Sequence, residues 1–166
     1  MKKIVFLLII MTSVSLFCQE NQFFSDDGYL TFQTNNYRFN IVLVPNLADA
    51  IDSWENPDEN GNSHITAISS VRRGDLIAIF IVFSSNKENV ELTYNFSTLK
   101  PDGTFSEKNE LILYIGSVNK NVAIQGRQLP IIIYHNYDPI GQYQFQLDIY
   151  DFTQYLGKAI LEFEVK

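Results

Sequence analysis

The stretch Leu76-Ile77-Ala78-Ile79-Phe80-Ile81-Val82-Phe83 is apolar at every position and rich in β-branched and aromatic side chains. Such side chains fit a pleated surface better than the crowded turn of a helix. Arg73-Gly74-Asp75 form a turn signal before the run and Ser84-Ser85 follow it, so its length is that of a strand rather than of a buried helix. A strand with no polar face must be covered on both sides, which predicts a central strand in a layered β structure.

The neighbouring segments supply the layers. Tyr143, Phe145, Leu147 and Ile149 alternate with Gln144, Gln146 and Asp148, and the same period of two runs through Phe39-Ile41-Leu43, Leu92-Tyr94-Phe96 and Leu161-Phe163-Val165. This is the pattern of half-buried strands facing one core. The run 129–135, containing Ile131-Ile132-Ile133-Tyr134, reads as a second strand of the central kind, restricted at its start by Pro130. Lys100-Pro101-Asp102-Gly103 and Asp138-Pro139-Ile140-Gly141 have Pro and Gly where reverse turns want them, and 151–158, with Gly157, reads as a hairpin link. One helix is expected over 47–54. Asn46 caps it, Asp49 sits near its positive end, Leu47, Ile51 and Trp54 share a face, and Asn56-Pro57 stops it. About seven to nine strands with one short helix predict an all-β chain, an antiparallel immunoglobulin-like β-sandwich.

The amino-terminal end carries a different signal. Lys2 and Lys3 precede an apolar run too short to span a bilayer, and Gln19-Glu20-Asn21-Gln22 form a polar exit, the parts of a secretory signal peptide. The expected organisation is a signal peptide at 1–18, a flexible leader at 19–28 and a single β-sandwich domain at 29–166. The location is then the periplasm, the cell surface or the medium, with no transmembrane segment in the mature chain. Cys18 could instead carry a lipid tether, although Phe17 is larger than the residue expected before a lipidated cysteine. Cys18 is the one cysteine, so the core must hold the fold without an intramolecular disulfide. Loss of Lys2 and Lys3 would take the formal charge from −7 to −9. With Arg72-Arg73 the one adjacent basic pair in that mature chain, nucleic acid is not an expected partner.

Catalytic and cofactor signatures are weak. His64 and His135 lie far apart, and neither has a second ligand at zinc-site spacing. The chain has no nucleophile elbow and no Gly-rich phosphate loop, and no cofactor or metal is expected. Asp58, Asn60 and Asn62 alternate like the start of a calcium loop, but the sixth position is Ser63 and the twelfth Ser69, which reads as a polar loop. Asn95-Phe96-Ser97 matches a glycosylation sequon inside a strand and is discounted. Phe80, Tyr94, Phe96, Phe145 and Phe163 read as core. Trp54, Tyr134, Tyr137, Tyr150 and Tyr155 are less clearly buried and could anchor a partner.

Gly141-Gln142-Tyr143, the alternation to Asp148 and Asp151, and the final Phe163-Glu164-Val165 resemble the last hairpin of bacterial immunoglobulin-like modules. Together with Arg73-Gly74-Asp75, Lys100-Pro101-Asp102-Gly103-Thr104 and Asp138-Pro139-Ile140-Gly141-Gln142-Tyr143, they make 46–165 similar to an uncharacterised family of exported bacterial sandwich proteins. The resemblance implies fold and location and carries over no functional residue.

The functional expectation is an exported non-catalytic module that binds a protein or a saccharide. Its candidate ligand-binding residues are Trp54, Asp58, Asn60 and Asn62, where the longest irregular stretch follows the sole tryptophan. Trp54 could equally dock the helix onto the sandwich. The alternatives are a hydrolase using paired carboxylates on a cell-envelope or extracellular polymer and an accessory subunit whose edge strand pairs with a partner. Amino-terminal sequencing of protein from an exporting host is expected to begin at Gln19. Full-length protein starting at Met1 in the cytoplasm of its native cell would contradict the export reading.

Overall fold

The computed structural model describes residues 21–166, so the export segment and Cys18 lie outside the described residues. In chain order the elements are β1 (Gln22–Ser25), β2 (Tyr29–Gln33), β3 (Tyr37–Val44), α1 (Leu47–Glu55), β4 (Ser70–Val71), β5 (Leu76–Ser85), β6 (Asn89–Leu99), β7 (Phe105–Ser117), β8 (Ile124–Gln125), β9 (Ile131–Ile133), β10 (Gly141–Asp151) and β11 (Gln154–Val165). They form two sheets. One runs β1-β11-β10-β6-β7, with β4 also on β11, and the other runs β2-β3-β5, with β8 and β9 both pairing the far edge of β5. Pairing is antiparallel except where β1 and β4 join β11. Among the described residues the chain is an all-β sandwich with one helix.

β5 is covered on both faces, as its composition demands. Ile77, Ile79, Ile81 and Phe83 enter the core between the sheets, where they meet Phe39, Ile41 and Leu43 of β3. The opposite sheet contributes Leu92, Tyr94, Phe96, Tyr143, Phe145, Leu147, Ile149, Leu161, Phe163 and Val165. Ala78, Phe80 and Val82 point the other way, into a second cluster with Val42 and Val44 that Leu47, Ala50, Ile51 and Trp54 of α1 cover. Trp54 meets Phe80 edge-on, with ring centroids 6.4 Å apart. The helix begins where the Asn46 side chain accepts the amides of Ala48 (2.9 Å) and Asp49 (3.4 Å). It ends as the Asn56 amide donates to the Asp52 carbonyl, just before Pro57.

Within the expected leader, the described segment Gln22–Ser25 pairs in register with Lys158–Leu161. Phe23 stacks on Phe32 at 4.4 Å, and a Cβ at Gly157 would lie 2.9 Å from the Asn21 carbonyl oxygen, so only glycine lets the segment approach. The run 129–135 is not a doubly covered strand. It contracts to an edge strand whose Ile131 and Ile133 are exposed, while Tyr134 is buried. The turn expected at 138–141 forms earlier, with the Asp138 amide donating to the His135 carbonyl at 2.9 Å. The link between the last two strands is Phe152-Thr153 alone, and Gly157 lies within β11.

Phe80 is fully buried and Trp54 is half-buried. Phe80→Ala is expected to cost about 3–5 kcal/mol and Trp54→Ala about 2 kcal/mol, read from chemical denaturation. The double variant should lose less than the sum, because the two rings share one contact. An unchanged midpoint in Phe80→Ala would remove β5 from the centre of the fold.

Candidate functional site

The two sheets separate along the edge where β7 faces β9. Tyr94, Phe96 and Thr98 are the inward residues of this part of β6, and their partners on β7 are Leu111, Lys108 and Ser106. Regular alternation could not put both Lys108 and Leu111 on one face. A bulge does so: the register shifts between Tyr94 and Phe96, Glu110 takes a positive φ of 57°, and its amide donates to the Asn95 side chain at 2.9 Å. The opposite wall is the chain from Gln128 to Asp138. The Tyr94 hydroxyl donates to the Gln128 carbonyl, and the Lys100 ammonium pairs with Asp138 at 3.0 Å, so the two walls run side by side in the same direction.

One end of this edge is stitched shut. Arg127 donates its amide to the Leu113 carbonyl (2.8 Å), and the Ile112 amide donates to the Gln128 side chain (2.7 Å). Further along, among the described residues, no backbone hydrogen bond joins the first half of β7 to β9. The result is a cleft of about 640 Å³ between the sheets. Phe96, Ile132 and Tyr134 lie in its walls, and the exposed Ile131, Ile133 and Tyr137 line it towards solvent. His135 stacks on Tyr137 with centroids 5.0 Å apart.

The charge in the cleft is balanced. Asp138 is 7% exposed and accepts from the His135 amide (2.8 Å) as well as from Lys100. Burial pushes its carboxyl up, but the Lys100 hydrogen bond and the His135 amide outweigh this and hold it below the ordinary value of 3.8. The bond to Asp138 raises the Lys100 ammonium in turn. Burial pushes the phenols of Tyr94 and Tyr134 up, so both stay protonated. The Tyr134 hydroxyl is buried without a protein partner, although its ring packs against Tyr143 and Phe163.

None of Trp54, Asp58, Asn60 and Asn62 lines this cleft. Trp54 belongs to the helical roof over Phe80, the docking role weighed for it from sequence. The Asp58 carboxylate is occupied by its own loop: it accepts the amides of Asn60 (2.9 Å) and Asn62 (2.8 Å) and lies 3.0 Å from His64 Nε2. These contacts, the Asn62 amide foremost, hold it at about 2. Among the described residues, no group of three His, Cys, Asp or Glu side chains could hold a metal ion. Sequence reading missed the cleft because Lys100 and Asp138 looked like turn markers. The usable signal was Pro130 followed by an isoleucine run that no polar alternation assigns to a face.

No family model matches the chain, and no curated protein matches it. Similar solved structures include a Niemann-Pick type C2 protein from Japanese carpenter ant, 8% identical over 90% of this chain and 96% of that one, with a TM-score of 0.41. An immunoglobulin-like protein from Pseudomonas aeruginosa is 16% identical over 65% of this chain and 86% of that one, with a TM-score of 0.33. The alkylpurine DNA glycosylase AlkC from Pseudomonas fluorescens is 17% identical over 59% of this chain, with a TM-score of 0.39, and the chain spans only 28% of that protein's length.

Asp138→Asn is expected to cost about 1–3 kcal/mol near neutral pH, because it removes the charge from a buried hydrogen-bonded pair. The folded carboxyl sits below its unfolded value, so its contribution is complete above about pH 4 and fades as the pH falls further. Denaturation of both proteins between pH 7 and pH 3 should show the gap between them closing in acid. A gap that stays constant would mean that Asp138 contributes no charge-dependent stability.

Proposed function

We propose that this chain is a non-catalytic binding module and that its ligand occupies the cleft between β6–β7 and β9. The observation that carries this reading is a volume of about 640 Å³ with apolar walls and a few convergent polar groups, within the size and character of small-molecule sites. Its walls of Phe96, Leu111, Leu129 and Ile132 favour an apolar ligand over a saccharide, whose hydroxyls would find few partners along them. The exposed Ile131, Ile133 and Tyr137 line the same cleft. The loop after Trp54 is a separate and weaker candidate for a binding surface, since its carboxylate already serves its own backbone.

The hydrolase alternative gains little from the cleft. Asp138 and Glu107 both line it, but Asp138 is ion-paired and held low, the opposite of what a general acid requires. No described helix is long and apolar enough to cross a membrane. Export and kinship with the exported sandwich family remain part of the proposal.

Uptake of the neutral fluorophore N-phenyl-1-naphthylamine tests the site. Ser106 is exposed and lies on the inward face opposite Thr98, so Ser106→Trp should plug the cleft with little cost to the fold. Saturable fluorescence enhancement in the wild type, reduced at least tenfold in affinity in the variant, is expected, a loss of about 1.4 kcal/mol or more. Equal uptake by both proteins would place binding elsewhere.

A further inference from the structure

Resting on the cleft as the ligand site, we infer that the ligand is a linear amphipath: one extended apolar chain with an uncharged, hydrogen-bonding head group. The shape supplies the first argument. The wall from Tyr94 to Lys100 advances by six residues of extended chain, about 20 Å. The cleft of about 640 Å³ lies in the range of small-molecule sites, and an extended hydrocarbon chain of up to about 20 Å can lie along that wall against Phe96, Leu111, Leu129 and Ile132.

The chemistry changes along the length. At the stitched end stand Tyr94, Leu111 and Leu129; at the other stand Thr98, Ser106, Lys100, His135 and Asp138. An apolar tail therefore belongs at the Tyr94 end and a polar head at the Lys100 end. The head has no charge to neutralise, because Lys100 and Asp138 already satisfy each other. A carboxylate or phosphate beside Lys100 would face the buried Asp138 anion, and an ammonium beside Asp138 would face Lys100. Glu107 and Lys108 at the rim add opposite charges that also cancel. Hydroxyl or amide groups can use the Thr98 and Ser106 hydroxyls.

Displacement of N-phenyl-1-naphthylamine from the full-length protein by 1-monoacylglycerols, fatty acids, alkylamines, cholesterol and an extended apolar peptide tests this inference. Monoacylglycerols are expected to displace best, about tenfold more tightly than fatty acids of equal length. Their affinity should rise with chain length and stop rising once the tail reaches the Tyr94 end, and Leu111→Trp should move that limit to shorter chains. Asp138→Asn leaves Lys100 unbalanced and should shift preference towards the fatty acid. The chain-length and head-group series on the wild type decide the matter even if that variant fails to fold. Failure of the wild type to take up the fluorophore would overturn the cleft as a site and this inference with it. Uptake of the fluorophore with no displacement by monoacylglycerol, equal displacement by fatty acid, or stronger displacement by cholesterol or peptide would overturn this inference alone.

Discussion

The double burial of β5 is the constraint from which the other layers follow. A strand whose seven consecutive residues Ile77 to Phe83 are all buried has no side to offer to water, so one sheet must close over its odd residues and something else over its even ones. The long antiparallel strands β6, β10 and β11 close the first side with their own alternating apolar faces. A single amphipathic helix, placed by the tight connection after β3, closes the second with Leu47, Ala50, Ile51 and Trp54. In the absence of a cysteine pair among residues 19–166, this packing takes the role that a cross-link has in many sandwich domains.

The cleft arises where the two sheets differ in how they end. β7 is a long edge strand, whereas the facing edge of β5 is covered by two fragments, β8 and β9, that pair with different parts of it. Backbone bonds through Gly126 and Arg127 bring the sheets together at one point, and the bulge at Glu110 turns the β7 side chains inward just beyond it. From there the walls stay apart until the Lys100–Asp138 pair bridges them. The bulge and the short edge strand thus set the depth and length of the cleft, and both are also common ways of limiting unwanted edge-to-edge pairing.

Electrostatics at the bridge favours a neutral interior. Asp138 is the sole charged side chain among the described buried residues, and it is tied to both an ammonium and a backbone amide. A partly buried ion pair of this kind contributes little net stability compared with apolar packing, but it fixes geometry, here the distance between the 100–103 turn and the chain entering β10. The stacked His135 and Tyr137 extend that bridge towards solvent.

Sequence alone determined the elements whose faces are dictated by local pattern. Period-two alternation placed Tyr143, Phe145, Leu147 and Ile149 in the core, the unbroken run gave β5, and Asn46 with Pro57 delimited the helix to within a residue. Those assignments are legible because each residue's environment follows from its neighbours in the chain. The fate of 129–135 was not, since three isoleucines in a row fit an edge strand as well as a central one, and only the presence or absence of a covering layer decides between them. Gln22 to Ser25 carry no alternating run long enough to announce a strand, and the glycine at 157 opens a space on β11 that lets them pair. Tertiary structure alone decided the cleft. Lys100 and Asp138 are 38 residues apart, and Tyr94 and Gln128 are 34 apart. A site assembled from such pairs has no local period, because it exists only where two sheets, each regular by itself, fail to meet.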